Sequence, residues 1–250
     1  MTTTHTFVSY DLRTTDLDAA EAFYTGLMGW QVQRSGESRV FLAGTQPVGL
    51  LMALPERARA QGAPAHWLGH IGVEDVDAMA RRFVERGGQM LGPVQQPVPG
   101  QRVAILKDSQ GAVFSMSTRR SGGSPGAIAW HELNTTDREQ AWAAYSELFG
   151  WRATGKLELG PQLGTYQMFT WEGAGRDVGA MVNTARLPSI HTHWLFYLTV
   201  PDLDAALQRL RALGGRVLNG PMQVPSGDRV AQCEDPQGAA FALRQSVRTV

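Results

Sequence analysis

Two acidic residues, Asp11 and Glu132, stand inside otherwise largely apolar stretches and are the first candidates for chemistry. A carboxylate that is partly shielded from water can act as a general acid or base, provided that its pKa and reach suit the substrate. The alternative is a structural ion pair. The arginines that could serve as partners are Arg13, Arg102, Arg229 and Arg244. The sequence alone leaves both interpretations open.

Histidine and cysteine supply the other reactive side chains. His70 could assist one of the carboxylates, or it could be a hydrogen-bonded strand residue. His191 and His193 are two residues apart and would share a strand face, but no carboxylate or third histidine follows at ligand spacing. That pattern favours a structural role at the start of a strand. Cys233 is the single cysteine, which excludes an intrachain disulfide, and no neighbouring base would activate it as a nucleophile.

Composition limits the class of protein. The 250 residues include 23 basic and 23 acidic side chains, so the basic surplus typical of nucleic-acid binders is missing. No apolar run approaches the roughly 20 residues of a membrane span, and the first residues lack the pattern of a signal peptide. We therefore expect a cytoplasmic protein with neither nucleic acid nor membrane as a partner, either a monomer or a homodimer.

The chain repeats itself. Tyr24 matches Tyr145 at an offset of 121 residues, and later matches have an offset of 127, such as Trp67 with Trp194. Further matched positions pair Asp11 with Glu132, Gly29-Trp30 with Gly150-Trp151, His66 with His193, and Asp108 with Asp235. The repeat predicts two domains, 1–118 and 127–250, joined by a Gly/Ser/Pro-rich linker at 119–126.

Each copy contains a weaker inner repeat of strand, helix and several strands. An aspartate that can cap a helix precedes an amphipathic stretch, as Asp16 precedes Phe23 and Leu27. Glycines such as Gly29 can end the helix in a left-handed turn. The predicted fold is α+β, with four βαβββ modules at about 5–54, 65–118, 127–184 and 191–246. Helices would cover one face of each curved mixed sheet and leave the other face concave.

Several short motifs resemble those of the vicinal oxygen chelate superfamily, which includes glyoxalase I, bleomycin-resistance proteins and extradiol dioxygenases. The motifs are Asp16-Leu17-Asp18, Phe23-Tyr24, Gly29-Trp30, Gly150-Trp151 and Asp235-Pro236-Gln237-Gly238-Ala239. The resemblance covers nearly the whole chain. More narrowly, the chain resembles the tandem glyoxalase-like proteins of actinobacteria. It is specific for the fold and says little about the reaction, because this scaffold supports several chemistries.

The resemblance implies where a catalytic metal would be held. Relatives place a histidine or glutamine seven residues before the helix-starting aspartate, and a glutamate four residues after the last turn glycine. The corresponding residues here are Ser9, Leu68, Ser115, Trp130, Leu195 and Ala242. These side chains are poor ligands for a divalent metal, which prefers carboxylate or imidazole groups. We therefore expect no metal and no other cofactor.

The same resemblance, combined with strand alternation, predicts which residues face the concave side. The predicted catalytic candidates are Asp11, Glu132 and His70. The predicted ligand-binding residues are Ser9, Arg13, Leu68, Ser115, Trp130, Asn134, Leu195, Tyr197 and Arg244. Trp130 offers a surface on which an aromatic ligand could stack.

The leading hypothesis is metal-independent binding of a small apolar or aromatic molecule, such as a secondary metabolite, for sequestration, resistance or sensing. A second hypothesis is a metal-free lyase or isomerase that uses Asp11 or Glu132, with His70 assisting. A third is a metal-dependent glyoxalase- or dioxygenase-type enzyme with displaced ligands, such as His70 with Asp11 or His131 with Glu132. An interaction module without a ligand is also compatible with the sequence.

Overall fold

The computed structural model describes residues 5–36, 38–119 and 126–247. Most of the predicted linker therefore lies outside the described residues. The first copy contains β1 (Phe7–Thr14), α1 (Leu17–Met28), β2 (Gln31–Ser35), β3 (Ser38–Ala43), β4 (Gln46–Ala53), α2 (Glu56–Ala60), β5 (His66–Gly72), α3 (Val76–Val84), β6 (Gln89–Met90), β7 (Val103–Lys107) and β8 (Val113–Ser117).

The second copy repeats this order of elements. It contains β9 (Ile128–Asn134), α4 (Arg138–Phe149), β10 (Arg152–Glu158), β11 (Thr165–Thr170), β12 (Gly179–Val182), a 3₁₀ turn (Asn183–Arg186), β13 (His193–Thr199), α5 (Leu203–Ala212), β14 (Arg216–Gln223), β15 (Arg229–Glu234) and β16 (Ala240–Gln245). The four predicted βαβββ modules are confirmed. The short helix α2 is an addition between the first two.

Two eight-stranded mixed sheets contain all of these strands. Their strand orders are β2-β3-β4-β1-β5-β8-β7-β6 and β10-β11-β12-β9-β13-β16-β15-β14. The first strand of a module runs parallel to its last strand, as β1 does to β4 and β9 to β12. The other strand pairs within a module are antiparallel, as β3 with β4 and β11 with β12. No helix in the described ranges is long and apolar enough to cross a membrane.

The helices begin where the sequence predicts them. The Asp16 carboxylate accepts hydrogen bonds from the backbone N–H groups of Asp18 and Ala19, and thereby caps α1. Equivalent aspartate caps begin the other three long helices, at Asp75, Asp137 and Asp202. Gly29 ends α1 with a φ of 69°, a left-handed conformation that glycine adopts without a steric penalty.

The chain divides into two compact units, and each of them takes residues from both copies. Unit 1 comprises Met1–Ser9, Leu68–Gly122 and Trp130–Trp194, and unit 2 comprises Tyr10–Trp67, Gly123–Ala129 and Leu195–Val250. Unit 1 thus contains the second module of the first copy with the first module of the second copy, and unit 2 contains the other two. The limits 1–118 and 127–250 of the tandem domains stay predictions.

A buried hydrogen-bonded chain of Trp, Tyr and Asp lies in the core of unit 1. The indole Nε1–H of Trp194 donates to the Tyr145 hydroxyl at 3.2 Å, and this hydroxyl donates to Oδ2 of Asp108 at 3.2 Å. Oδ1 of Asp108 accepts the backbone N–H groups of Gln110, Gly111 and Ala112. Buried polar groups need partners of this kind, because an unsatisfied one is costly.

Unit 2 contains the equivalent chain, built from the matching residues of the repeat. Trp67 Nε1–H donates to the Tyr24 hydroxyl at 2.9 Å, and Tyr24 donates to Oδ2 of Asp235 at 3.1 Å. The matched Trp, Tyr and Asp positions of the sequence are therefore structural. In both chains the tyrosine comes from one copy and the aspartate from the other.

Candidate functional site

One strand face in unit 1 brings together most of the polar and aromatic groups that the sequence predicted for the second copy. Along β9, Trp130, Glu132 and Asn134 alternate with His131 and Leu133, so the first three share a face. Register places Glu132 opposite Ala180 of β12, which is itself opposite Met168 of β11. We call this surface the Glu132 face. It comprises Trp130, Glu132, Asn134, Tyr166, Met168, Ala180, Val182 and Thr184.

A directed hydrogen-bond chain crosses the Glu132 face. The Trp130 indole Nε1–H donates to the Tyr166 hydroxyl at 3.1 Å, and this hydroxyl donates to Oε2 of Glu132 at 2.9 Å. Because an indole can only donate, the Tyr166 proton must point toward the carboxylate. Glu132 is only 4% exposed, whereas Trp130 and Tyr166 are half-buried. The carboxylate is thus fixed in place beneath two accessible aromatic rings.

Asn134, a predicted ligand-binding residue, lies at the edge of the Glu132 face. Its Oδ1 accepts a hydrogen bond from the hydroxyl of Thr184 in the 3₁₀ turn. The same turn is held at a second point, because Oδ1 of Asn183 accepts the backbone N–H of Arg138 at 2.7 Å. These contacts fix the segment that follows β12.

The equivalent face of the first copy has different chemistry. Asp11 is opposite Leu50 of β4 in unit 2, and Oδ2 of Asp11 is 3.7 Å from Nη2 of Arg13. Ser9 occupies the position of Trp130 in the repeat and is 8% exposed. Asp11 thus has an ion-pair contact with Arg13, and Oε2 of Glu132 accepts a hydrogen bond from the phenol of Tyr166. The choice between a structural and a catalytic role stays open for both carboxylates.

Two of the other arginines that were candidate partners bind exposed aspartates instead. Arg102 donates to both carboxylate oxygens of Asp77 at 2.7 Å. Arg229 forms the equivalent pair with Asp204, at 2.8 and 3.0 Å. These two arginines therefore hold the N-terminal turn of a helix to a neighbouring strand.

His70 lies on β5 of unit 1, opposite Ser115 of β8, and both are nearly inaccessible to solvent. Leu68 precedes it on the same strand face and is fully buried. Ser117 continues the face on β8, and its Oγ accepts a hydrogen bond from Nε2 of Gln101 at 3.3 Å. The structure thus groups one imidazole with two hydroxyls. The catalytic role of His70 stays a prediction.

The last module, in unit 2, presents Leu195 and Tyr197 on β13 and Arg244 on β16. Register places Tyr197 opposite Ala242 and Thr199 opposite Arg244. Nε of Arg244 donates to Oδ2 of Asp228 at 2.8 Å. Burial raises the pKa of the Asp228 carboxyl, but hydrogen bonds from Arg244 and from the Val247 N–H outweigh that effect and leave the pKa below its ordinary value. Arg244 is thus held by a buried carboxylate.

Two residues of these faces were missed by sequence reasoning. Strand register places Tyr166 at the position of Ser38 in the first copy, so the repeat gives no aromatic match for it. Asp228 occupies the repeat position of Gln101, and Arg244 that of Ser117. An amide–hydroxyl pair in the first copy has thus become an ion pair in the second. This paired change was visible in the sequence.

The positions that would hold the family's metal do not fit one. Leu68, Ser115 and Ala242 are completely buried, and the Ser115 hydroxyl donates to the backbone carbonyl of Met116 at 3.3 Å. Within the described part of the chain, no group of three or more His, Cys, Asp and Glu side chains could hold a metal ion. His131 and Glu132, the suggested displaced pair, are neighbours on β9 and therefore point to opposite faces of the strand.

The remaining histidines and the cysteine have structural surroundings. Nδ1 of His193 is 2.7 Å from the carbonyl oxygen of His191, and Nδ1 of His66 is 2.8 Å from that of Pro64. The two histidines thus make equivalent contacts at the start of β5 and β13, and a structural role for the repeated His-Trp pair stays a prediction. Burial raises the pKa of the Cys233 thiol to about 12, which is unsuitable for a nucleophile.

His131 makes stability depend on pH. Its ring stacks on Phe7 at a centroid distance of 4.7 Å, and burial lowers its pKa to about 4. A depressed histidine pKa means that folding opposes protonation, so stability is lost as pH falls from about 6.5 through 4. When the pH is lowered from 7 to 4.5, the free energy of unfolding should fall in both the parent protein and His131→Phe. We expect urea unfolding to show that the fall is about 2–3 kcal/mol smaller in His131→Phe. Equal losses in both proteins would contradict this role.

Sequence and structure comparisons agree with the fold and the repeat. The profile of the Glyoxalase/Bleomycin resistance protein/Dioxygenase superfamily matches residues 5–116 and 127–243. The chain belongs to this superfamily. The two matches correspond to the two copies, which confirms the resemblance inferred from the sequence motifs and the presence of two tandem glyoxalase-like domains.

Two similar proteins come from Mycobacterium and Streptomyces. CFP32 of Mycobacterium tuberculosis, which carries a provisional glyoxylase name, is 31% identical over 246 residues, covering 93% of this chain and 92% of its own. The anthracycline biosynthesis protein DauV of a Streptomyces species is 28% identical over 258 residues, covering 94% and 90%.

Solved structures share the fold at low identity. The 2,3-dioxygenase LapB of Pseudomonas sp. KL28 has a TM-score of 0.68 at 11% identity, covering 98% of this chain and 94% of its own. The Mn(II)-bound glyoxalase of Novosphingobium aromaticivorans has a TM-score of 0.64 at 16% identity, covering 99% and 83%. At such identities the similarity shows the fold alone.

Proposed function

We propose that this superfamily member binds a planar, hydroxylated aromatic small molecule at the Glu132 face, without a metal. The observation that carries the proposal is the chain from Trp130 through Tyr166 to the Glu132 carboxylate. It combines aromatic surface with a fixed hydrogen-bond acceptor. Such a combination suits a ligand that has both a ring system and a hydroxyl group.

The surroundings of the carboxylate support an aromatic ligand. Ala180 and Val182 of β12 and Met168 of β11 give the face an apolar floor beside Glu132. An aromatic ring stacked on the Trp130 indole would gain about 0.5–1.5 kcal/mol beyond area burial. A phenolic hydroxyl that donates to a carboxylate oxygen of Glu132 would gain about 1.5–3 kcal/mol.

Similarity to DauV supports a polycyclic aromatic ligand. That protein is named for anthracycline biosynthesis, and anthracyclines contain a hydroxylated anthraquinone ring system. The two proteins match over 94% of this chain. A dihydroxyanthraquinone is therefore a reasonable first probe of the Glu132 face.

Titration calorimetry with two matched compounds tests the proposal. The probes are a dihydroxyanthraquinone sulfonate and the anthraquinone sulfonate that lacks both hydroxyls. We expect Trp130→Ala to weaken binding of both about 10-fold. We expect Glu132→Gln to weaken binding of the dihydroxy compound about 10- to 100-fold and to leave the other within about 3-fold.

Asp11→Asn is the matched control, because it removes the equivalent carboxylate of the first copy. It should leave both affinities unchanged. Loss of binding in Asp11→Asn with no effect of Trp130→Ala would place the ligand in the first copy and contradict the proposal. Absence of saturable binding to the parent protein, across a wider set of hydroxylated polycyclic compounds, would also contradict it.

A second candidate function is metal-free proton transfer at the same carboxylate. It is favoured by the 2.9 Å hydrogen bond from Tyr166, which orients Glu132. A positioned carboxylate can remove a proton from an acidic carbon. Mass spectrometry of aromatic diketones incubated with the protein in D₂O would detect such exchange. We expect it to be lost in Glu132→Gln and kept in Asp11→Asn; equal exchange rates in both variants would exclude Glu132 as the base.

A further inference from the structure

A buried arginine occupies a position that is apolar in the other three modules. Arg138 follows the capping aspartate of α4 and has a side chain that is 8% exposed. The residues that follow the capping aspartates of the other long helices are Leu17, Val76 and Leu203. A buried guanidinium at an otherwise apolar position needs a specific set of partners, because its desolvation is costly.

The partners of Arg138 satisfy it only in part. Nη1 donates to Oε1 of Gln167 at 2.6 Å, and Nη2 donates to Oε1 of Glu139 at 2.7 Å. The Glu139 side chain is 83% exposed, so water competes for that ion pair. Among the described residues, Nε of Arg138 and Nε2 of Gln167 are buried and have no hydrogen-bond partner.

Exchanging the oxygen and nitrogen positions of the Gln167 side-chain amide does not supply the missing acceptors. A guanidinium has only donors, so Gln167 must turn its oxygen toward Arg138 and its nitrogen elsewhere. Gln167 is 3% exposed, which leaves that nitrogen without access to solvent. One hydrogen-bonded pair therefore contains two buried N–H groups that lack acceptors, next to a positive charge.

We propose that Arg138 and Gln167 form a binding site for a small inorganic anion of about the size of chloride. Such an ion would accept from both N–H groups and donates none, and its negative charge favours a place beside the guanidinium. Nearby acidic groups have other contacts. Asp137 accepts the N–H of Gln140 at the helix start, and Glu139 accepts from Nη2 of Arg138 at the solvent side rather than from Nε. Gln167 adjoins Tyr166 in β11, so a bound anion would also brace the strand that carries Tyr166.

Thermal unfolding in sodium chloride and in sodium gluconate, at equal ionic strength, tests the site. For the parent protein we expect a saturable rise of about 3 °C that is specific to chloride. Arg138→Leu, which installs the residue of the other modules, and Gln167→Leu should both abolish the chloride effect. Arg152→Leu is the control, because Arg152 is an exposed arginine of the same module and its loss should leave the effect intact.

A crystal of the unaltered protein grown in bromide gives a result that does not depend on variant stability. We expect an anomalous peak within about 3.5 Å of both Nε of Arg138 and Nε2 of Gln167. A water molecule in that position, or a chloride effect that is the same in Arg138→Leu as in the parent, would overturn the proposal.

Discussion

Asp235→Ala is expected to lower the free energy of unfolding by about 3–5 kcal/mol. Oδ1 of Asp235 accepts the backbone N–H groups of Gln237 and Ala239, both at 2.9 Å, and Oδ2 accepts the Tyr24 hydroxyl. Alanine would leave these donors without an acceptor, and the Ala239 N–H and the Tyr24 hydroxyl are buried. Chemical denaturation of the whole chain measures the effect.

Two further variants should lower the free energy of unfolding by amounts that can be compared with that of Asp235→Ala. Tyr24→Phe keeps the turn around Asp235 and should cost about 1–3 kcal/mol, because only the hydroxyl contacts are removed. Asp108→Ala removes the equivalent group from unit 1 and should match Asp235→Ala. If Asp235→Ala cost less than about 1 kcal/mol, the Trp, Tyr and Asp chains would not be important for the core.

Gly179→Ala is expected to destabilise the second copy by about 3 kcal/mol or more, because no space exists for a side chain. A Cβ at this position would lie 2.1 Å from the backbone oxygen of His131 and 2.7 Å from Cζ of Phe169. Since Gly179 pairs with His131, the residue before Glu132, the strand that carries the proposed site would shift. Urea unfolding and the spectrum of bound ligand would both report the change.

Substitutions of two other glycines serve as controls for Gly179→Ala. Gly49 is the equivalent residue of the first copy, and a Cβ there would lie 2.9 Å from the Tyr10 oxygen, so Gly49→Ala should cost less. A Cβ added at Gly92 would meet no atom of the described residues within 4 Å, so Gly92→Ala should be nearly neutral. If Gly179→Ala were as neutral as Gly92→Ala, the close approach of β9 and β12 would be disproved.

The elements were predictable because local rules determine them. Asp16 and Gly29 mark the two ends of α1 in the sequence, and both act as caps in the structure. Alternation along β9 correctly placed Trp130 and Glu132 on one face. Matched positions such as Tyr24 and Asp235 indicated a shared task, although their contact spans 211 residues and could not be read from spacing.

The features that the sequence did not predict depend on contacts between residues far apart in the chain. Tyr166 reaches Glu132 only because β11 and β12 pair in one register, and nothing near Glu132 in the sequence indicates this partner. From the sequence, Arg138 would be expected to be an exposed helix residue. Its contacts with Gln167 and Asn183 arise only in the folded protein. The combination of modules from different copies in one compact unit is likewise a property of tertiary packing.

Indole resonances in a ¹H–¹⁵N spectrum give the most direct test of ligand binding at the Glu132 face. The chain has 7 tryptophans, and the Trp130 signal can be assigned by its loss in Trp130→Phe. During titration with the dihydroxyanthraquinone sulfonate, we expect the Trp130 signal to move progressively to saturation. The signals of the buried Trp67 and Trp194 should stay in place. Saturable binding that leaves the Trp130 signal unmoved would contradict the proposed site.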